Sequence, residues 1–133
     1  MNDLISTDKV LTSFGTFKPV GHLMLGLPAP VALPTLEAAL IAAGWPAESL
    51  LHFAPGRSVA ELEAMVGDAG AMAGFGYEIT LLHRYLALSR EGYRWLLVKV
   101  KDSAQAAAAA DLARAQGAGL AVYYRTLVTE ELI

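Results

Sequence analysis

Few residues in the chain carry chemistry suited to a site. The three histidines, His22, His52 and His83, form no HxH or HxxxH pair. A metal site would need long-range convergence, and no acidic third ligand stands beside His22 or His52. Structural or pocket-lining histidines are the expectation, and no metal site is assigned. Glu78 falls inside a wide helical arc of Ile79, Leu81, Leu82, Tyr85, Leu86 and Leu88. A carboxylate among apolar neighbours is a candidate general acid or base. The simpler assignment is the first turn of a helix, with the carboxylate complementing the helix N-terminus and its head in water. Ala54-Pro55-Gly56-Arg57-Ser58 offers backbone N–H groups and a guanidinium to a phosphate. There is no GxxxxGK[ST], and Ser58-Val59-Ala60-Glu61 already reads as a capping box, so an ordinary turn and cap is expected. Gly67, Gly70, Gly74 and Gly76 follow no strand and contain no GxGxxG, which leaves a close-packed bend. There is no GxSxG elbow and no cysteine, so a thiolate metal site, a disulfide scaffold and a cysteine nucleophile are excluded. No catalytic residue and no cofactor is assigned.

The positions of the remaining polar groups depend on the elements that carry them. Val20–Leu27 reads as a strand stopped by Pro28. A helix is predicted over Pro34–Ala43, with Gly44 as its stop. Ser49–Ala54 is a second strand, ended by Pro55-Gly56. A helix opens at the Ser58 capping box, bends over Gly67–Gly76, and a further helix runs over Tyr77–Arg90 to Gly92. Trp95–Val100 is a strand, Asp102-Ser103-Ala104-Gln105 starts a helix that ends at Gly117, and Leu120–Val128 is the last strand. Val10–Phe17 could form a short edge strand.

A repeat organises these elements. A shift of 73 positions carries Leu23, Leu25 and Leu27 onto Leu96, Val98 and Val100, and Gly44 onto Gly117. Two tandem βαβ units of this kind predict an α+β, ferredoxin-like (split βαβ) fold: a four-stranded antiparallel sheet with a helical insertion between the halves. A small parallel α/β sheet is the runner-up. The 133 residues make one domain, with 1–19 as lead-in, 20–55 as the first half, 56–91 as the insertion and 92–128 as the second half. Strand alternation sends Leu23, Leu25, Leu27, Leu96, Val98 and Val100 to the helix-covered face. The opposite face takes His22, Met24, Gly26, Trp95, Leu97, Lys99 and Lys101, with His52, and either Tyr123 with Arg125 or their neighbour Tyr124. Lys99 and Lys101 read as solvated edge charges.

Composition narrows the function classes. Ten basic and thirteen acidic residues give a net charge of −3, too little positive field for nucleic acid or an anionic membrane. No window of about 18 uninterrupted apolar residues exists, and the N-terminus lacks a signal-peptide pattern, so a cytoplasmic location is expected. Hydrophobic residues make up 55% and charged residues 17%, and the mean hydropathy is +0.43. The run Ala106 to Ala110 accounts for part of this, and a subunit contact is expected to account for the rest.

His22 to Phe53 with Gly44, and Gly92-Tyr93-Arg94-Trp95-Leu96-Leu97-Val98 to Tyr124 with Gly117-Ala118, resemble small bacterial ferredoxin-like domains of the general stress protein type. In that group two βαβ halves flank a variable helical middle, and Gly67–Gly76 is similar to the middle segment. Here that middle is charged. The resemblance implies a cytoplasmic domain without known catalysis and transfers no site residues.

Two functions compete. The favoured one is a non-catalytic binding or regulatory module, homodimeric through the helix Tyr77–Leu88 or the Trp95 sheet face. The alternative is a small enzyme or ligand-binding protein of the dimeric α+β-barrel kind. Its pocket would lie on the sheet face, lined by His22, His52, Trp95, Tyr123 and Arg125, with Arg125 gripping a small anionic ligand.

Overall fold

Strand alternation and glycine stops shape the nucleus of the fold. The computed structural model describes residues 2–3, 12–13, 16–17, 20–52, 76–125 and 129–133, with side chains for 20–51, 80–81, 83–125 and 129–133. In chain order the elements are β1 (Asn2–Asp3), β2 (Thr12–Ser13), β3 (Thr16–Phe17), β4 (His22–Leu27) and α1 (Leu33–Ala42). A single 3₁₀ turn (Ala47–Ser49) leads into β5 (Leu50–His52). Then come α2 (Gly76–Arg90), β6 (Arg94–Lys99), α3 (Ser103–Ala115), β7 (Leu120–Tyr124) and β8 (Thr129–Glu131). The capping box at Ser58, the Arg57 turn and most of the glycine stretch lie outside the described residues.

The architecture is α+β. The main sheet runs in the order β1-β5-β6-β4-β7-β8, and β2 pairs with β3 in a small sheet of its own. β4 and β6 are antiparallel neighbours, as the repeat predicts, with Leu23 opposite Val98 and Leu25 opposite Leu96. β5 pairs antiparallel with β6, and β7 with β4. Each βαβ unit is therefore split by a strand of the other: β6 lies between β4 and β5, and β4 lies between β6 and β7.

The expected sheet of four strands is corrected to six. The lead-in supplies β1, which adds to β5 in parallel. The last predicted strand, Leu120–Val128, is shorter than expected: β7 stops at Tyr124, and β8 folds back along it in antiparallel pairing.

Both faces of the sheet are covered. Leu23, Leu25, Leu27, Leu96, Val98 and Val100 pack with α1 and α3, as alternation predicts. Met24, Trp95, Leu97, Leu120, Val122 and Tyr124 pack with Leu81, Tyr85 and Leu86 of α2. This double cover explains why the strands read as near-continuous apolar runs, HLMLGL, RWLLVK and LAVYY. The helical layers differ in bulk. α1 buries Leu33, Leu36 and Leu40, whereas α3 buries Ala106, Ala109, Ala110 and Ala113 and so rides close to the strands.

The helix ends match the predicted stops. Trp45 N–H donates to Leu40 O at 3.0 Å and Gly44 N–H to Ile41 O at 3.0 Å; Ala118 N–H donates to Ala113 O at 2.9 Å and Gly117 N–H to Arg114 O at 3.0 Å. These are Schellman caps, which need a left-handed residue at the turn, and Gly44 and Gly117 adopt φ of 115° and 98°. Gly44→Ala is expected to cost about 1–2 kcal/mol from backbone strain alone. Gly117→Ala should cost more, because its Cβ would also stand 3.0 Å from Val31 Cγ2, whereas a Cβ at Gly44 meets nothing within 4 Å. Urea unfolding of the two variants checks the ranking, and equal or negligible losses would contradict it. The start of α3 is also satisfied: the Asp102 carboxylate accepts from Gln105 N–H at 2.9 Å, and Gln105 Oε1 accepts from Lys101 N–H at 2.9 Å.

Candidate functional site

The aromatic face is built on a glycine. Trp95 stands opposite Gly26 in the ladder, and a Cβ at Gly26 would come within 2.6 Å of Trp95 Cζ3. The indole therefore lies over the bare backbone of β4. From the other side α2 closes on it. Trp95 Nε1–H donates to Ser89 Oγ at 2.6 Å, and the Tyr85 ring sits 5.0 Å away, centroid to centroid, tilted by 58°. Tyr93 flanks the indole at 5.9 Å. Tyr85 Oη and Tyr124 Oη share a buried hydrogen bond of 2.5 Å. Trp95 is fully buried, so it is the centre of a helix–sheet contact rather than an open wall.

Of the five residues assigned to a sheet-face pocket, the four with described side chains, His22, Trp95, Tyr123 and Arg125, do not converge. His22 shares the Trp95 face, but His22 is opposite Lys99 and Trp95 is opposite Gly26. That separates them by about 13 Å at ~3.3 Å per residue. The His22 Nδ1 stands 3.1 Å from Val20 O. The ladder sets His52 opposite Leu96. Of the two phases left open for the last strand, the fold takes the second: Tyr123, assigned to the pocket, packs in the α1/α3 core, and Tyr124 joins the cluster of Trp95. The reason is the phase of β7, in which Val122 and Tyr124 stand opposite Met24 and His22. Arg125 follows the strand, is exposed, and pairs with Glu130 at 3.2 Å.

Glu78 lies in the first turn of α2, and His83 is exposed on the same helix. Among the described residues no three His, Asp or Glu side chains stand together as metal ligands, and no helix is long and apolar enough to cross a membrane.

Open space occurs elsewhere. One cleft of about 370 Å³ lies where the loop after α1 meets the end of β6, and Trp45, Ser49, Lys99, Lys101 and Gln105 line it. A second, of about 330 Å³, runs along α1 between Pro34, Ala38, Ile41 and Leu50. Lys99 and Lys101 are exposed, as read from the sequence, and they also border the first cleft. The available signal was two lysines at the end of a strand, with Trp45-Pro46 after a helix stop as a separate apolar patch. Nothing in the sequence brings those segments together before the fold is known.

The chain matches no protein-family model, no curated protein and no solved structure.

Proposed function

We propose that the chain is a non-catalytic binding or regulatory module, homodimeric and cytoplasmic, built on a ferredoxin-like nucleus of β4-α1-β5 and β6-α3-β7. The order β5-β6-β4-β7, with each unit split by a strand of the other, supports that nucleus. β1, β8 and α2 are additions to it. The split pairing also keeps the kinship with general stress protein-type domains as a reading of the fold, with α2 as the variable middle.

The observation that carries the functional reading is the burial of Trp95 beneath α2 of the same chain. A sheet-face pocket of the dimeric α+β-barrel kind needs that face open to a ligand. Here Tyr85, Tyr93 and Ser89 occupy the space against the indole. The surface, rather than the sheet face, is left to carry the function.

The homodimer rests on the apolar composition, 55% hydrophobic with a mean hydropathy of +0.43. Leu81, Tyr85 and Leu86 of α2 pack inside the chain. Ile41 is 47% exposed and borders the cleft along α1, which makes this the surface for the second copy. Light scattering over a dilution series should give twice the chain mass of 14.1 kDa, and Ile41→Asp should shift the population to monomer. A dilution-independent mass of 14.1 kDa would overturn the homodimer.

A further inference from the structure

The cleft beside β6 has a chemistry of its own. Lys99 and Lys101 both line it and both are exposed. Neither side chain has an ion-pair or hydrogen-bond partner among the described residues. No Asp or Glu is among the lining residues. The neighbouring Asp102 carboxylate is engaged in capping α3. Two exposed lysines bordering one concavity raise the local concentration of anions.

The walls are apolar. Trp45, Pro46 and Val100 supply them, and Trp45 is only 7% exposed, so it is a fixed surface rather than a mobile one. Its buried indole Nε1–H has no hydrogen-bond partner among the described residues. Ser49 donates its hydroxyl proton to Pro46 O at 2.7 Å, and Gln105 has its carbonyl oxygen engaged by Lys101 N–H, which leaves its amide N–H groups as donors. The cleft thus offers cationic and neutral donors over an apolar wall, within a volume of about 370 Å³ that suits a small molecule.

We propose that this cleft binds a small organic anion, a carboxylate with an apolar body, whose charge is held by Lys99 and Lys101 and whose body lies against Trp45 and Val100. The cleft lies beyond the end of β6, away from the Trp95 indole, and Lys99 is in phase with Trp95 on the strand. It rests on the reading of the chain as a binding module and gives that module its ligand class.

Benzoate is the probe. In an amide and indole NMR titration of the full chain, saturable shifts are expected at the Trp45 indole, Ser49 and Lys99–Gln105, and none at the Trp95 indole. The Lys99→Gln/Lys101→Gln double variant should weaken benzoate by at least about tenfold. Both side chains are exposed, so its spectrum away from the cleft should stay that of the parent. Benzyl alcohol, with the same body and no charge, should bind at least about tenfold more weakly, as should inorganic phosphate, which has the charge and no body. Absent or scattered shifts, full binding by the double variant, or equal binding of either comparison compound would each overturn the proposal. The oligomer measurement is independent: a monomer that binds benzoate through both lysines keeps the cleft and loses the dimer, and a dimer without these shifts does the reverse.

Discussion

Trp95→Ala is expected to cost about 3–5 kcal/mol of folding stability, the range for truncating a large buried aromatic. The indole is fully buried and sits between the Gly26 backbone on one side and Tyr85 on the other. Its removal leaves a void that neither can fill, because Gly26 has no side chain and Tyr85 is tied to Tyr124. It also strips Ser89, itself buried, of the N–H it accepts from. Trp95→Phe should cost less, since much of the volume remains. Gly26→Ala should cost about 1–3 kcal/mol by overpacking against the ring. Urea unfolding with a constant m-value checks all three, and a loss below about 1 kcal/mol for Trp95→Ala would show that the indole is not the centre of the α2 contact.

Leu36→Ala carries the second large effect, about 2–5 kcal/mol and toward the upper end of that range. The α1/α3 layer is asymmetric. Leu33, Leu36 and Leu40 supply the bulk on α1, whereas the fully buried residues of α3 are all alanines and its Leu112 packs only partly buried against the cluster. Short side chains cannot swing into a cavity, so the space left by Leu36 stays empty. The converse substitution, Ala109→Leu, should cost about 1–3 kcal/mol because α3 rides too close to the sheet for a larger residue. Thermal unfolding of the pair checks this. A mild Leu36→Ala together with a neutral Ala109→Leu would mean that the layer is looser than described.

Period-two patterning made the central sheet readable. Leu23, Leu25 and Leu27 against Leu96, Val98 and Val100 established which face meets α1 and α3, and Gly44 and Gly117 marked both helix ends because only a left-handed residue completes those caps. The C-terminal hairpin was hidden, since Leu120–Val128 holds no glycine or proline to announce a turn. With the strand running on, its phase was open by one residue, and Tyr123 exchanged faces with Tyr124. β1 is two residues long, too short for any periodicity. The apolar arc of α2 was legible as an arc, but hydrophobic spacing does not say whether a helix covers its own sheet or another copy's. A dimer contact through this helix or through the Trp95 sheet face is what the spacing allows, and the fold packs Leu81, Tyr85 and Leu86 of the arc against Met24, Trp95, Leu97 and Val122. The sheet face carries the same ambiguity: a face rich in aromatics is equally the signature of a pocket and of a second core.

The closure of the aromatic face by the chain's own α2 is tested most directly by the emission of Trp95 in a Trp45→Phe background, where it is the remaining tryptophan. The burial and the Ser89 contact predict a blue-shifted spectrum that acrylamide barely quenches, unchanged on dilution because no second subunit is needed for the cover. Emission at the wavelength of solvated indole, quenched as freely as tryptophan in water, would contradict it.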